Sequence, residues 1–386
     1  MKRYLIIILL ALVSGRCREN RPDPAPVAEC LFSTEVSEDI VPASAIKGIL
    51  DKYRAEGLPG ITFMARKGNR YWEYNTGSYD LEKGAEMKGC LVWPAYSISK
   101  MYTATAILKL VEEGKIMLDQ KIQACLPPAL SARIPGAGKI TVRMLLNHSS
   151  GIENFWQNPD FIAGYMENPA RTYVLDDFLE AGSGRLFEPG TDIAYSNTNY
   201  LFLSLIIDNV TGEGHEKAFQ KYIYSPLGLS GTFYKTLPAT RQNDTPRLYA
   251  DVEGAGELME YTELSHLQFR NESGSNSVMA TPRNFVDFMH GLSHGRLLNA
   301  ATFSEMKKEY TGKDQADVYG LGLEYFEKNQ MYGHSGSSFG GRTLLLYNPK
   351  TDTSFFVGVN AGAELGGPVL ERIAGMMEEL ISRMAG

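Results

Sequence analysis

The chain has 386 residues, 44% of them hydrophobic, enough to bury a large core and long enough for two domains or one domain with a big insertion. Its net charge is −7 and its lysines and arginines are scattered, which argues against nucleic acid as a partner and leaves any anionic ligand to a local site. The four cysteines, Cys17, Cys30, Cys90 and Cys125, form no Cys-x-x-Cys and lie near no histidine, so no metal site is expected and buried free thiols are the plain reading.

The first fifteen residues read as a secretory signal: Met1-Lys2-Arg3, a short apolar run from Tyr4 to Val13, then Ser14-Gly15. That run is too short to span a bilayer comfortably as a helix. Cys17 raises the possibility of a lipid anchor, but Arg16 stands where lipid attachment expects a small residue, which weighs against it. Residues 16–42, with three prolines from Arg18 to Pro26, read as a leader or tether, and the folded unit is expected over 43–386.

Pro42 to Glu56 carries Ile46, Ile49, Leu50 and Tyr53 at helical spacing. Two strand-like runs follow, Gly60 to Arg66 and Arg70 to Asn75, joined by the turn signal Lys67-Gly68-Asn69. After Pro94 comes Tyr96-Ser97-Ile98-Ser99-Lys100, which opens a helix with Ala104, Ile107, Leu108 and Val111 in register and Gly114 as its stop. Helical patterns then dominate to about residue 270: Val142 to Leu146, Val174 to Leu179, Tyr200 to Val210 and Glu216 to Tyr224. A helix over Pro282 to Leu292, strand-like runs at Met331 to Ser337, Thr343 to Tyr347 and Thr353 to Val359, and a closing helix over Leu370 to Met384 complete the chain. Strands at both ends with helices between predict an α+β fold: an antiparallel sheet built from about 43–95 and 275–386, flanked by helices, with a mostly helical part inserted at about 96–274.

Ser97 and Lys100 are three residues apart, so their side chains share one helix face. A hydroxyl is a poor nucleophile until a base takes its proton, and a desolvated amine can have its pKa lowered far enough to be that base. Ser-x-x-Lys also occurs at Ser44 to Lys47 and Ser304 to Lys307, so the spacing alone decides nothing. Two further motifs do: Tyr195-Ser196-Asn197 is the chain's one Tyr-x-Asn, and His334-Ser335-Gly336 its one His-x-Gly.

In that order the three motifs resemble the serine β-lactamase and penicillin-binding protein superfamily. Leu145 to Ile152, Glu188-Pro189-Gly190, Pro226 to Leu229 and Tyr319 to Gly322 look like its class C β-lactamase and D-alanyl-D-alanine carboxypeptidase branch. The resemblance implies a β-lactamase/transpeptidase-like fold and an exported hydrolase, periplasmic or envelope-associated, that forms an acyl-enzyme at Ser97 without metal or cofactor. Lys100 and Tyr195 would act as a coupled base, the ammonium favouring the phenolate. Asn197 would hold the substrate amide, and the N–H groups of Ser97 and Ser337 would form the oxyanion hole. Strand alternation puts Ser335 and Ser337 on one side, where two hydroxyls would meet a substrate carboxylate. By the same resemblance His148 is structural, at a helix end, whereas Arg342 would either reach a carboxylate or sit in solvent.

The expected substrate is a small molecule or peptide, a cell-wall D-alanyl peptide first, with a β-lactam also in view. A carboxylesterase of the same fold and a penicillin-binding sensor without turnover are the alternatives. His334 stands where class C β-lactamases carry lysine, so its charge is expected to help anionic substrates and to fade as pH rises. Gly274 to Val278 departs from the glycine-rich version usual in relatives, so the cleft wall there is expected to differ. No class A glutamate loop is recognisable.

Overall fold

The structure, a computed structural model, describes residues 37–312, 318–326, 330–363 and 365–386. The signal, the possible lipid site at Cys17, and Cys30 lie outside these residues. Alternation along three neighbouring strands explains how segments from both ends of the chain meet. Val357 lies between Phe63 and Leu344 in the ladder and all three point to one face, while Phe356, between Met64 and Leu345, points with them to the other. The strands are β1 (Gly60–Lys67), β2 (Arg70–Asp80), β3 (Ala85–Glu86), β4 (Tyr310–Thr311), β5 (Val318–Tyr319), β6 (Glu324–Phe326), β7 (Met331–Ser338), β8 (Gly341–Asn348) and β9 (Thr353–Val359). They form one sheet in the order β3-β2-β1-β9-β8-β7-β6-β5-β4, and its ladders are antiparallel.

Five helices matter most for the site: α1 (Ala43–Ala55), α2 (Ser99–Glu112), α3 (Asn197–Thr211), α4 (Pro282–Ser293) and α5 (Pro368–Met384). Helices α1 and α5 cover one face of the sheet, burying Ile46, Leu50, Ile373 and Met376 against Phe63 and Val357. Helix α4 covers the other face, where Phe285 stacks on Phe356 with ring centres 4.5 Å apart. Beyond it lies α2, whose buried set runs unbroken from Ser99 to Leu108, so this helix is enclosed by protein on all sides over its first turns. Tyr102 of α2 stacks on Phe288 of α4 at 3.8 Å, and α3 closes the far side.

The expected elements recur within a few residues. The pattern over Glu216 to Tyr224 is α-helical only over His215–Phe219 and widens to a π turn over Gln220–Tyr224. Pro226 follows at once, and its missing N–H cannot continue the regular ladder. The helix Thr262–Asn271 and the strands β4 to β6 were not expected. That helix buries Thr262, Ser265, Gln268 and Phe269, a largely polar face that makes no apolar periodicity, and each of those strands is two or three residues long. The cysteines correct one expectation: Cys125 is a buried free thiol, but Cys90 is disulfide-bonded.

Candidate active site

Ser97 sits in a single 3-10 turn, Tyr96–Ile98, that runs directly into α2. Tyr96 has a φ of 48°, a left-handed conformation costly for a tyrosine, held by burial of its ring against Phe269 at 5.5 Å. The turn is tied to the segment Val278–Ala280: Ala95 N donates to Val278 O at 2.8 Å, and Val278 N donates to Ser99 Oγ at 3.0 Å. On the other side β7 comes close because residue 336 is glycine. A Cβ there would lie 2.6 Å from Ala95 O and 3.0 Å from Tyr96 Cβ. This approach puts Ser337 in the same cleft wall as Ser97.

Lys100 is fully buried one helical turn on. Its Nζ lies 3.1 Å from Ser97 Oγ, 2.7 Å from Asn197 Oδ1 and 3.2 Å from Ser275 O. Burial lowers its pKa from 10.5 to about 7, against the opposing pull of Glu272 and Glu324. The neutral amine has two N–H bonds and one lone pair. Asn197 Oδ1 and Ser275 O can only accept, so they take the two N–H groups and leave the lone pair facing the Ser97 hydroxyl. Asn197 opens α3, and both its N–H and its Nδ2 lie 3.3 Å from Asn154 Oδ1 as donors, which turns its oxygen toward Lys100.

Tyr195 lays its ring over Lys100 Nζ at 4.7 Å to the centroid. The residue shows 37% of its surface on the cleft, and loss of water around it raises its pKa well above 10 while the Ser97 hydroxyl pulls it down. That direction is opposite to the lowering expected for Tyr195 as part of a coupled base, and Lys100 is the group whose pKa lies near neutrality. His148, with a φ of 61°, follows the helix Val142–Leu146. Its Nδ1 faces two donors, Ser196 N and Asn199 Nδ2, each at 3.2 Å, and its ring lies 4.4 Å from that of Tyr195. Burial pushes its pKa well below 6.5, so it is a neutral acceptor that fixes the loop carrying Tyr195 to Asn197.

The third motif behaves differently. His334 is fully buried, with Nε2 2.6 Å from Tyr319 Oη and Nδ1 2.5 Å from Ser335 O and 3.4 Å from Glu324 Oε1. Facing two acceptors, Nδ1 carries the proton, and Nε2 accepts from the Tyr319 hydroxyl. Burial lowers its pKa below 6.5, with Glu324 opposing, so His334 is neutral at neutral pH and the expected help from its charge is corrected. Ser335 and Ser337 do share the exposed side of β7. However, Ser335 donates its N–H and its hydroxyl to Glu324, at 2.8 and 3.0 Å, so a carboxylate of the protein already occupies it. Arg342 is engaged as well, with Nη1 2.6 Å from Ser338 O and 3.1 Å from Gly341 O.

Ser97, Tyr195, Asn197 and Ser337 open on a cleft of about 420 Å³. Its outer walls are apolar, from Trp156, Ile162, Met166, Phe339 and Leu365, and its charged lining is acidic, from Asp251 and Glu272.

The family model described as Beta-lactamase matches residues 46–374. The chain belongs to the Beta-lactamase family. Penicillin-binding protein 4 of Amycolatopsis lactamdurans is 27% identical over 349 residues, covering 85% of this chain and 86% of that protein. Among solved structures, D-amino acid amidase from Ochrobactrum anthropi SV3 matches with a TM-score of 0.76 at 24% identity, covering 88% of this chain and 98% of that one. D-stereospecific amidohydrolase from Streptomyces sp. matches with a TM-score of 0.71 at 26% identity, covering 86% and 98%. The fold is the β-lactamase/transpeptidase-like α+β fold, and the chain is a member of a family of serine hydrolases.

Within this Beta-lactamase family member, several residues around the motifs escape a reading by motif. Asn154 orients Asn197, Tyr319 holds His334, Glu324 occupies Ser335, and Glu272 organises the wall at Ser275 and Asn276. Tyr319 stood in a segment already singled out for resemblance, and Glu272 two residues before another. Glu324 and Asn154 carried no signal, because their partners are distant in sequence.

Proposed function

We propose that the protein is an exported serine amidohydrolase that works through an acyl-enzyme on Ser97. Lys100, as the neutral amine, takes the Ser97 proton as oxygen attacks the carbonyl carbon, and the N–H groups of Ser97 and Ser337 receive the negative charge on the carbonyl oxygen. Tyr195, kept a phenol, then passes a proton to the leaving nitrogen and is reprotonated from Lys100. Asn197 holds Lys100 and the substrate amide. Water repeats the sequence on the ester and frees Ser97. The observation that carries this reading is the three-way anchoring of Lys100 Nζ, which aims its lone pair at Ser97.

A protonated donor beside the nucleophile suits an amine leaving group, which must be protonated to depart; an alkoxide departs more easily, so the same machinery also serves esters. A terminal substrate carboxylate, and with it the D-alanyl carboxypeptidase reading, is less well served, because Ser335 is bound to Glu324 and Arg342 to backbone carbonyls. The disulfide at Cys90 supports an oxidising compartment and so the export reading. The test is mass spectrometry of the intact protein after a fluorophosphonate and after penicillin. One adduct on Ser97, lost in Ser97→Ala with the fold retained, is expected. An adduct that persists at another residue in the variant would overturn the assignment.

A further inference from the structure

The cleft wall beside Trp156 holds an arrangement that the proton transfers do not use. Glu272 is 2% exposed, and its Oε1 accepts from Trp156 Nε1 at 2.9 Å, Gln268 Nε2 at 2.9 Å and Asn276 Nδ2 at 3.2 Å, while Oε2 accepts from Ser275 Oγ at 2.8 Å. A carboxylate offers about four acceptor positions, and these four donors fill them, which fixes Glu272 in place. The bond to Glu272 also fixes the Asn276 amide, since turning it over would set oxygen against oxygen. Asn276 is 5% exposed and lines the cleft, and its Oδ1 is buried without a partner among the described residues. An orphaned buried acceptor costs free energy until a donor meets it. One unpartnered acceptor therefore stands in this wall beside a charged carboxylate. Asp251, the other charged lining residue, adds a second negative charge, with its oxygens 3.0 and 2.8 Å from the N–H groups of Ala255 and Gly256.

We propose that Glu272 and Asn276 form a binding site for a protonated amine on an otherwise apolar substrate, so that the favoured substrates are amides and esters bearing a free ammonium group. The inference rests on the reading of Ser97 as the nucleophile of this cleft. An ammonium brings an N–H donor for the Asn276 oxygen and a charge opposite to that of Glu272. Trp156, Ile162, Met166 and Phe339 take the apolar body. A carboxylate at the same place would face the Glu272 carboxylate and an acceptor with no donor to offer it.

The experiment uses labelling of Ser97 by a fluorophosphonate, slowed by three ligands of one size: phenethylamine, 2-phenylethanol and phenylacetate. Phenethylamine is expected to protect at a concentration about tenfold or more below that of 2-phenylethanol, with phenylacetate the weakest. Glu272→Gln and Asn276→Leu should each bring the amine to within about threefold of the alcohol and leave the alcohol unchanged. A second readout compares phenylalanine p-nitroanilide, in both enantiomers, with its N-acetyl form, for which kcat/KM should fall about tenfold or more. Equal protection by amine and alcohol, or best protection by phenylacetate, would overturn the proposal in the wild-type protein alone, whatever the variants do. Absence of any labelling at Ser97 would instead remove the reading on which it rests.

Discussion

Of the three buried nitrogen bases around Tyr195, Lys100 and His334 respond to the same force with opposite results. Lys100 Nζ lies 4.7 Å from the Tyr195 ring centre and the His334 ring 6.3 Å from it. Both are fully enclosed, and for both the largest influence is loss of water, opposed by Glu324. Lysine starts at 10.5, so desolvation brings it to about 7, where it can exchange a proton during turnover. Histidine starts at 6.5, so the same desolvation takes it out of the working range and leaves a neutral ring that joins Tyr319 to the strand. Burial activates one base and silences the other, and the difference lies in where each began.

The largest effect should come from removing the active base. Lys100→Met is expected to slow acylation about a thousandfold. Lys100→Arg should be as slow, because a guanidinium stays protonated; single-turnover acylation kinetics would measure both, and an active Arg variant would mean that Lys100 supplies charge rather than a lone pair. Tyr195→Phe keeps the ring over Lys100 and removes the relay, with an expected loss of about a hundredfold, larger for an anilide than for an aryl ester. Equal losses on both would place the proton donor elsewhere.

The pH profile sharpens the comparison further. Lys100 must lose a proton to act, so acylation of a neutral ester should fall as pH drops through about 7. Glu324 raises the pKa of both bases, so Glu324→Gln should let Lys100 deprotonate at lower pH and shift that acidic limb downward, by about half a unit, seen as a gain of about threefold at pH 6. An upward shift would contradict the sign. His334→Lys, on the charge reading, would extend activity on an anionic ester to higher pH. With His334 enclosed and neutral, no such extension is expected, and comparison of alkaline limbs in the two proteins tests it. The smallest effect should be that of Tyr319→Phe, which removes one buried hydrogen bond and costs about 1–2 kcal/mol in denaturant unfolding, with little change in acylation. A large acylation loss would mean that the His334 and Tyr319 pair carries protons after all.

The residues that a motif joins through one local element were legible in the sequence. Ser97 and Lys100 are three positions apart, and helical geometry alone puts them side by side. The alternation of β1, β8 and β9 follows from the two-residue period of a strand, whereas the role of Gly336 in letting β7 meet the nucleophile turn came only with the fold. By the same period Ser335 and Ser337 share a side, and they do. What each side chain meets there was decided only by tertiary structure. Glu324, eleven residues before Ser335 on a neighbouring short strand, captures its hydroxyl. Asn197 and Ser275, far along the chain from Lys100, set the direction of its lone pair. The pKa of Lys100 and the neutrality of His334 depend on how completely water is excluded, which is a property of everything packed around a group. Local periodicity is carried by neighbours in the chain, whereas desolvation and charge are summed over neighbours in space, and only the folded chain brings those together.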